Sequence, residues 1–262
     1  MQGGKIQTNL RQKILRLKKR LAFTLAEVLI TVGVIGVIAA LTIPALINKT
    51  NDAEFKNAGK KAYSTLSNAL KMVLANNNGN LWDNSSATDA FYNANNMIND
   101  FASNLQYTNK FNPTAINVPG PSPIWKSNTM AYNYKLYNSQ TNANTTTLIA
   151  YYPALALDDG SILVFFSVYG STCLNNGAGL GLAGTYNNFC GAIVDDVNGN
   201  KGPNMFGKDT FAFFVKRKTN GNYYIMPAGT ESDGATCSSN PTDYTNGAYG
   251  CTYPILFDQA IP

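Results

Sequence analysis

Glu27 is the single charge in the run FTLAEVLITVGVIGVIAALTIPALI, residues 23–47. A carboxylate in an apolar stretch of that length costs about 2.5–3.5 kcal/mol on membrane-insertion scales, so it calls for a partner and a purpose. Two other groups could do chemistry. Cys173, Cys190, Cys237 and Cys251 all follow the apolar run. Asp196, Asn198 and Asn200 alternate as D-x-N-x-N, with Asp209 further on. That spacing offers oxygen ligands to calcium, or Asx-turns that shape a loop. The glycine and terminal Glu of an EF-hand are not in register. Histidine is absent, which removes Ser-His-Asp and Cys-His catalysis, His-ligated zinc and any imidazole base. Asp158 and Asp159 are adjacent carboxylates, and Asp158-Asp159-Gly160 reads as a hairpin turn rather than a catalytic pair. No enzyme activity is expected.

The elements that position these residues begin with charge. The excess of Lys and Arg over Asp and Glu, 20 against 15, comes from a cationic arm that ends in Lys18, Lys19 and Arg20. The rest of the chain is slightly acidic, so the pI near 8.9 is no argument for nucleic acid. Val28 to Ile47 is uncharged and about 30 Å long as a helix, the thickness of a bilayer core. It is too long for the h-region of a cleaved secretory signal. The arm before it predicts a cytoplasmic N-terminus, with everything after Asn48 outside. Beyond the span, Phe55, Ala58, Ala62, Leu66, Ala69, Leu70 and Val73 recur at spacings of three and four, and NNNGN at 76–80 supplies a stop. One helix from Thr24 to about Ala75 is predicted.

Basic leader, small residue, Phe-Thr-Leu-x-Glu and about twenty apolar residues together resemble the N-terminus of type IV prepilins and of type II secretion pseudopilins. The likeness covers Lys18 to about Asn51. It implies cleavage between Ala22 and Phe23 by a membrane prepilin peptidase, N-methylation of Phe23, and an assembly role for Glu27 and Pro44. The new Phe23 amine would face Glu27 of a neighbouring subunit, and paired charges are tolerable in lipid where single ones are not. Where the family has Gly before the cut, this chain has Ala22. The implied fold is α+β and pilin-like: a long N-terminal helix, transmembrane in its first half, packed on a C-terminal antiparallel sheet. The implied partners are the peptidase, other pilin or pseudopilin subunits, an inner-membrane assembly platform and the lipid itself. The implied location is the bacterial inner membrane, with the C-terminal domain periplasmic or extracellular, and a filament after assembly.

The organisation expected is a leader at 1–22, the spanning half of the helix at 23–47, its amphipathic half at 48–79, an Asn-rich insertion at 80–146 and a sheet domain at 147–262. A short helix is read near 88–104. Trp82, Phe91, Tyr92, Phe101, Tyr107, Phe111 and Trp125 are aromatics of a small core or of a sugar-binding face. Strands are read at LIAYY (148–152), ALAL, SILVFFSVY, the run from Cys190 to Val197, TFAFFVKRK and NYYIM, with hairpins at Asp158-Asp159-Gly160 and Asn220-Gly221. The apolar face of the sheet is expected to pack on residues 53–75.

Four cysteines allow three pairings; local loops favour Cys173 with Cys190 and Cys237 with Cys251, as disulfides on the oxidising side. Gly179, Gly181 and Gly184 form a literal GxGxxG with no helix behind it, which reads as a loop. Major pseudopilins hold calcium in sheet-side loops, so the resemblance also points calcium at Asp196, Asn198, Asn200 and Asp209. The class this reading must be separated from is a membrane-anchored module that binds glycans or proteins.

Overall fold

The computed structural model describes residues 23–82, 90–111, 153–167, 173, 188–199, 201–230, 237 and 250–259. Ala22, Asn200, the strand expected at 148–152, Trp125 and the GxGxxG glycines lie outside these residues. The chain divides into two compact units, Met1–Thr50 and Asn51–Pro262. Helix α1, Leu25–Asn76, is continuous through the boundary.

In the first unit, α1 exposes apolar side chains on all sides: Leu25, Leu29, Ile30, Val34, Ile35 and Leu41 are each more than half exposed. Thr31, Thr42 and Thr50 return their hydroxyls to the carbonyls of Val28, Ile38 and Leu46, each at 2.9 Å, which satisfies them within the helix. The helix runs through Pro44, whose missing N–H leaves the carbonyl one turn back without its usual donor.

In the second unit, six strands form one antiparallel sheet in chain order: β1 Tyr107–Phe111, β2 Ala154–Leu157, β3 Ile162–Ser167, β4 Phe189–Asp196, β5 Thr210–Arg217 and β6 Tyr223–Pro227. The hairpins β2–β3 and β5–β6 use the same three-residue loop. Gly160 N–H bonds to Leu157 O and Leu157 N–H to Ser161 O; Gly221 and Lys218 repeat the pattern with Asn222. Gly160 and Gly221 adopt φ of +91° and +88°, the left-handed position that this loop reserves for glycine.

Leu66, Ala69, Leu70 and Val73 of α1 pack on a core that includes Leu163, Phe165, Ile193, Phe211, Phe213 and Val215. Burying each large side chain stabilises by about 1.5–3 kcal/mol. Helix α2, Ala90–Ala102, adds Met97, Ile98 and Phe101, and Trp82 joins them with its indole N–H donated to Ser167 Oγ at 3.2 Å. Helix α3, Thr252–Phe257, closes the end of β5, where Ala212 N–H bonds to Thr252 Oγ1 at 2.8 Å.

Two features differ from the sequence expectation. The sheet starts earlier, because β1 pairs with β2 from within the segment read as an insertion; YTNKF has no apolar alternation and reads as loop until its partner is known. The sheet is also covered on both faces. Val164, Phe166, Ala192, Val194, Ala212 and Phe214, which alternate with the helix-facing residues, are at most 1% exposed. The unbroken runs ILVFF and FAFFV carry that second face, since a strand wet on one side would alternate.

Candidate functional sites

At the start of α1, Thr24 and Glu27 cap the helix reciprocally. Thr24 N–H and Thr24 Oγ1–H both bond to Glu27 Oε2 at 2.9 Å, and Glu27 N–H bonds to Thr24 Oγ1 at 3.2 Å. This is a capping box: two orphan donors of a helix start are satisfied by a Thr and by a Glu three residues on. The T-x-x-E spelling of Thr24-Leu25-Ala26-Glu27 carries it in the sequence. Glu27 thus has a partner in its own chain. Phe23 is 81% exposed. A Cβ on Gly33 or Gly36 would meet nothing within 4 Å, so contacts within this chain do not require either glycine.

The cysteines pair as Cys173–Cys190 and Cys237–Cys251, with no free thiol. Cys190 sits at the register shift in β4 between Phe189 and Gly191. There Gly191 lets the chain approach closely: a Cβ would come 2.7 Å from Phe166 O and 3.3 Å from Met97 Sδ.

The loop after β4 is shaped by its own polar side chains. Asp196 Oδ1 accepts Asn198 N–H at 3.4 Å, and Asn198 Nδ2 donates to Gly202 O at 3.2 Å. Asp209 accepts Asn204 N–H at 2.7 Å and Met205 N–H at 2.6 Å, while burial pushes its carboxyl up. Asx-type loop geometry therefore describes Asp196, Asn198 and Asp209. Two buried amide oxygens in the same loop, Asn198 Oδ1 and Asn204 Oδ1, accept no hydrogen bond. Among the described residues no three His, Cys, Asp or Glu converge.

The largest grouping of charge that sequence reading missed lies between α1 and the sheet. Lys61 Nζ donates to Asp159 Oδ2 at 2.8 Å, and Asp159 Oδ1 accepts Ser161 Oγ at 2.9 Å. Burial opposes the Asp159 carboxylate, but the bonds from Lys61 and Ser161 hold its pKa below the ordinary value. Asp195 is 1% exposed, and burial with the nearby Asp196 and Asp159 charges raises its pKa well above the carboxylate range. These residues line a cleft of about 210 Å³. The signal was present: Asp195 follows Ile193 by two, so a strand that buries Ile193 against the helix points Asp195 the same way. Two further ion pairs fix the same stretch of α1, Lys56 with Asp258 and Lys208 with Asp52 at 3.2 Å.

Trp82 and Phe101 are at most 3% exposed and pack in the core with ring centroids 6.2 Å apart, tilted at 53°. They are not available as a sugar platform. No known protein family, curated protein or solved structure matches the chain.

Proposed function

We propose that the chain is a prepilin-like structural subunit, cut between Ala22 and Phe23 by a prepilin peptidase, N-methylated on Phe23, and assembled into a type IV pilus or a type II secretion pseudopilus. The observation that supports this most is the exposure of the whole apolar half of α1 in a chain whose same helix continues into a packed core. An apolar surface of that extent is stable only against lipid or against matching surface of other copies. Among the described residues one helix is long and apolar enough to span a membrane, which suits both states.

The capping box gives this reading a sequence of events. In the precursor Thr24 satisfies Glu27. Cleavage frees an amine on Phe23, one residue before Thr24, and a cation there is a stronger partner for a carboxylate than a hydroxyl. Exchange of Glu27 from Thr24 to the amine of a neighbouring copy would couple processing to assembly. The peptidase, the inner-membrane platform and other subunits are the partners in this account. Calcium belongs to it as a loop ligand, held by Asp209 and by the unpartnered oxygens of Asn198 and Asn204, stiffening the loop without entering any reaction.

The test is the N-terminal mass of protein recovered from membranes that contain prepilin peptidase. A chain beginning at methylated Phe23 is expected; a working form that still begins at Met1 overturns the reading. The second reading, a membrane-anchored module that binds glycans or proteins, is favoured by one observation: Glu27 is already satisfied within its own chain. A tethered module would keep its function with Glu27→Leu, whereas filament assembly would fail.

A further inference from the structure

The cleft between α1 and the strands β3 and β4 contains a carboxylate that its surroundings do not complete. Asp195 is 1% exposed and its Oδ1 accepts no hydrogen bond. The Lys61 ammonium above it is spent on Asp159. The Ser161 hydroxyl has one proton for two carboxylates, since it bonds to Asp159 and also lies within reach of Asp195. Burial and the Asp196 and Asp159 charges keep Asp195 protonated while the cleft is empty, so Lys61 and Asp159 cancel and an entering cation would displace the Asp195 proton. Its volume of about 210 Å³ is far above the about 10–15 Å³ that admits one water. The walls are methyl groups and methylenes of Ala62, Leu66, Leu157 and Leu163.

We propose that this cleft binds a primary ammonium group on a short alkyl stem, with Asp195 as the counter-charge and the apolar wall as the seat of the stem. The chemistry selects this class over its neighbours. A divalent metal wants several hard oxygens, and no three carboxylates converge among the described residues. A guanidinium fork wants both oxygens of a carboxylate, and one side of Asp195 is shared with Ser161. A single free oxygen at the base of an apolar slot suits a point-like donor. Lys61 and Asp159, half exposed or more, stand at the rim, where their ion pair can open without disturbing the core. The cleft lies wholly in the second unit, so the inference holds whether or not the chain polymerises.

The experiment is calorimetric titration of the full chain in detergent micelles, with protein-free micelles as the blank. The probes are pentylammonium, pentanol, and lysine blocked at both backbone ends. Pentylammonium is expected to saturate one site and to bind at least tenfold more tightly than pentanol, and Asp195→Asn is expected to lose that preference. Binding of blocked lysine as well would identify a protein side chain as the source of the amine; pentylammonium binding without it would identify a free small amine. Equal binding of pentanol and pentylammonium overturns the proposal, as does silence with both, or undiminished binding to a folded Asp195→Asn. If that variant does not fold, the comparison of the two pentyl probes on the unaltered chain decides alone.

Discussion

Thr24 and Glu27 exchange three hydrogen bonds across the first turn of α1, so the carboxylate that is costly in hydrocarbon is also the group that begins the helix. The two roles separate by substitution. Glu27→Gln keeps the box, because an amide oxygen serves at that position, yet removes the charge. Glu27→Gln is expected to leave amide exchange at residues 25–28 unchanged in bilayer-reconstituted precursor while filament recovery falls. Thr24→Val is expected to speed exchange at those amides, at a cost of about 1 kcal/mol.

Gly59 is the closest approach of α1 to the sheet. A Cβ there would lie 2.8 Å from Leu256 Cδ2 and from ring carbons of Phe211. Ala gains about 1 kcal/mol in helix propensity over Gly, but overpacking costs about 1–3 kcal/mol. Gly59→Ala is expected to be neutral to mildly destabilising, and Gly59→Val, with two more methyl groups and a stiff χ1, clearly destabilising. Thermal melts followed by near-ultraviolet circular dichroism measure both.

The ion pair of Lys61 with Asp159 joins helix to hairpin. Its partners are 68% and 48% exposed, so a double-mutant cycle with Ala at both positions is expected to return no more than about 1 kcal/mol. The pH dependence has a defined sign. The folded pKa of Asp159 is depressed, so its contribution is complete above the ordinary carboxylate value of about 3.9 and is lost as pH falls through the lower, folded value. Acid unfolding of Asp159→Asn should therefore be less steep below about pH 4.

Each disulfide closes a short loop, with separations of 17 and 14 residues, and the loop-entropy relation assigns about 3 kcal/mol to each. Reduction with a phosphine is expected to lower the melting temperature, and Cys237→Ser with Cys251→Ser to account for part of the fall. A reduced protein that melts with the oxidised one would contradict this.

Calcium is expected to raise the melting temperature through the loop of Asn198, Asn204 and Asp209, by about 2.7 kcal/mol of stability at a hundredfold excess over its dissociation constant. Asp209→Asn should abolish the shift; a melting curve indifferent to calcium and to chelator removes the ion from the account.

Much of the architecture was legible because its signals are periodic. The amphipathic half of α1 declares itself at spacings of three and four, and the loops at Gly160 and Gly221 carry the glycine their geometry needs. What escaped depends on contacts remote in sequence. Tyr107–Phe111 is a strand only because Ala154–Leu157 lies beside it. Gly59 passes for an ordinary helical residue until Phe211 and Leu256 are in place. Asp195 is a different case, since the two-residue step from Ile193 carries its signal, but the D-x-N-x-N spacing singles out Asp196, whose oxygen is engaged in the local turn.

Strand order β1 to β6 follows chain order, which has a consequence for biogenesis. During synthesis each new strand finds its partner already made, so the sheet can zip forward without waiting for a distant segment. The helix has no such advantage: Leu66, Leu70 and Val73 are translated first, while the Ile193 and Phe213 that cover them come more than a hundred residues later. For that interval the stripe has only the earlier members of its core, Trp82, Met97, Ile98, Phe101, Leu163 and Phe165, to share it, and this is the stage at which a holding chaperone would matter most.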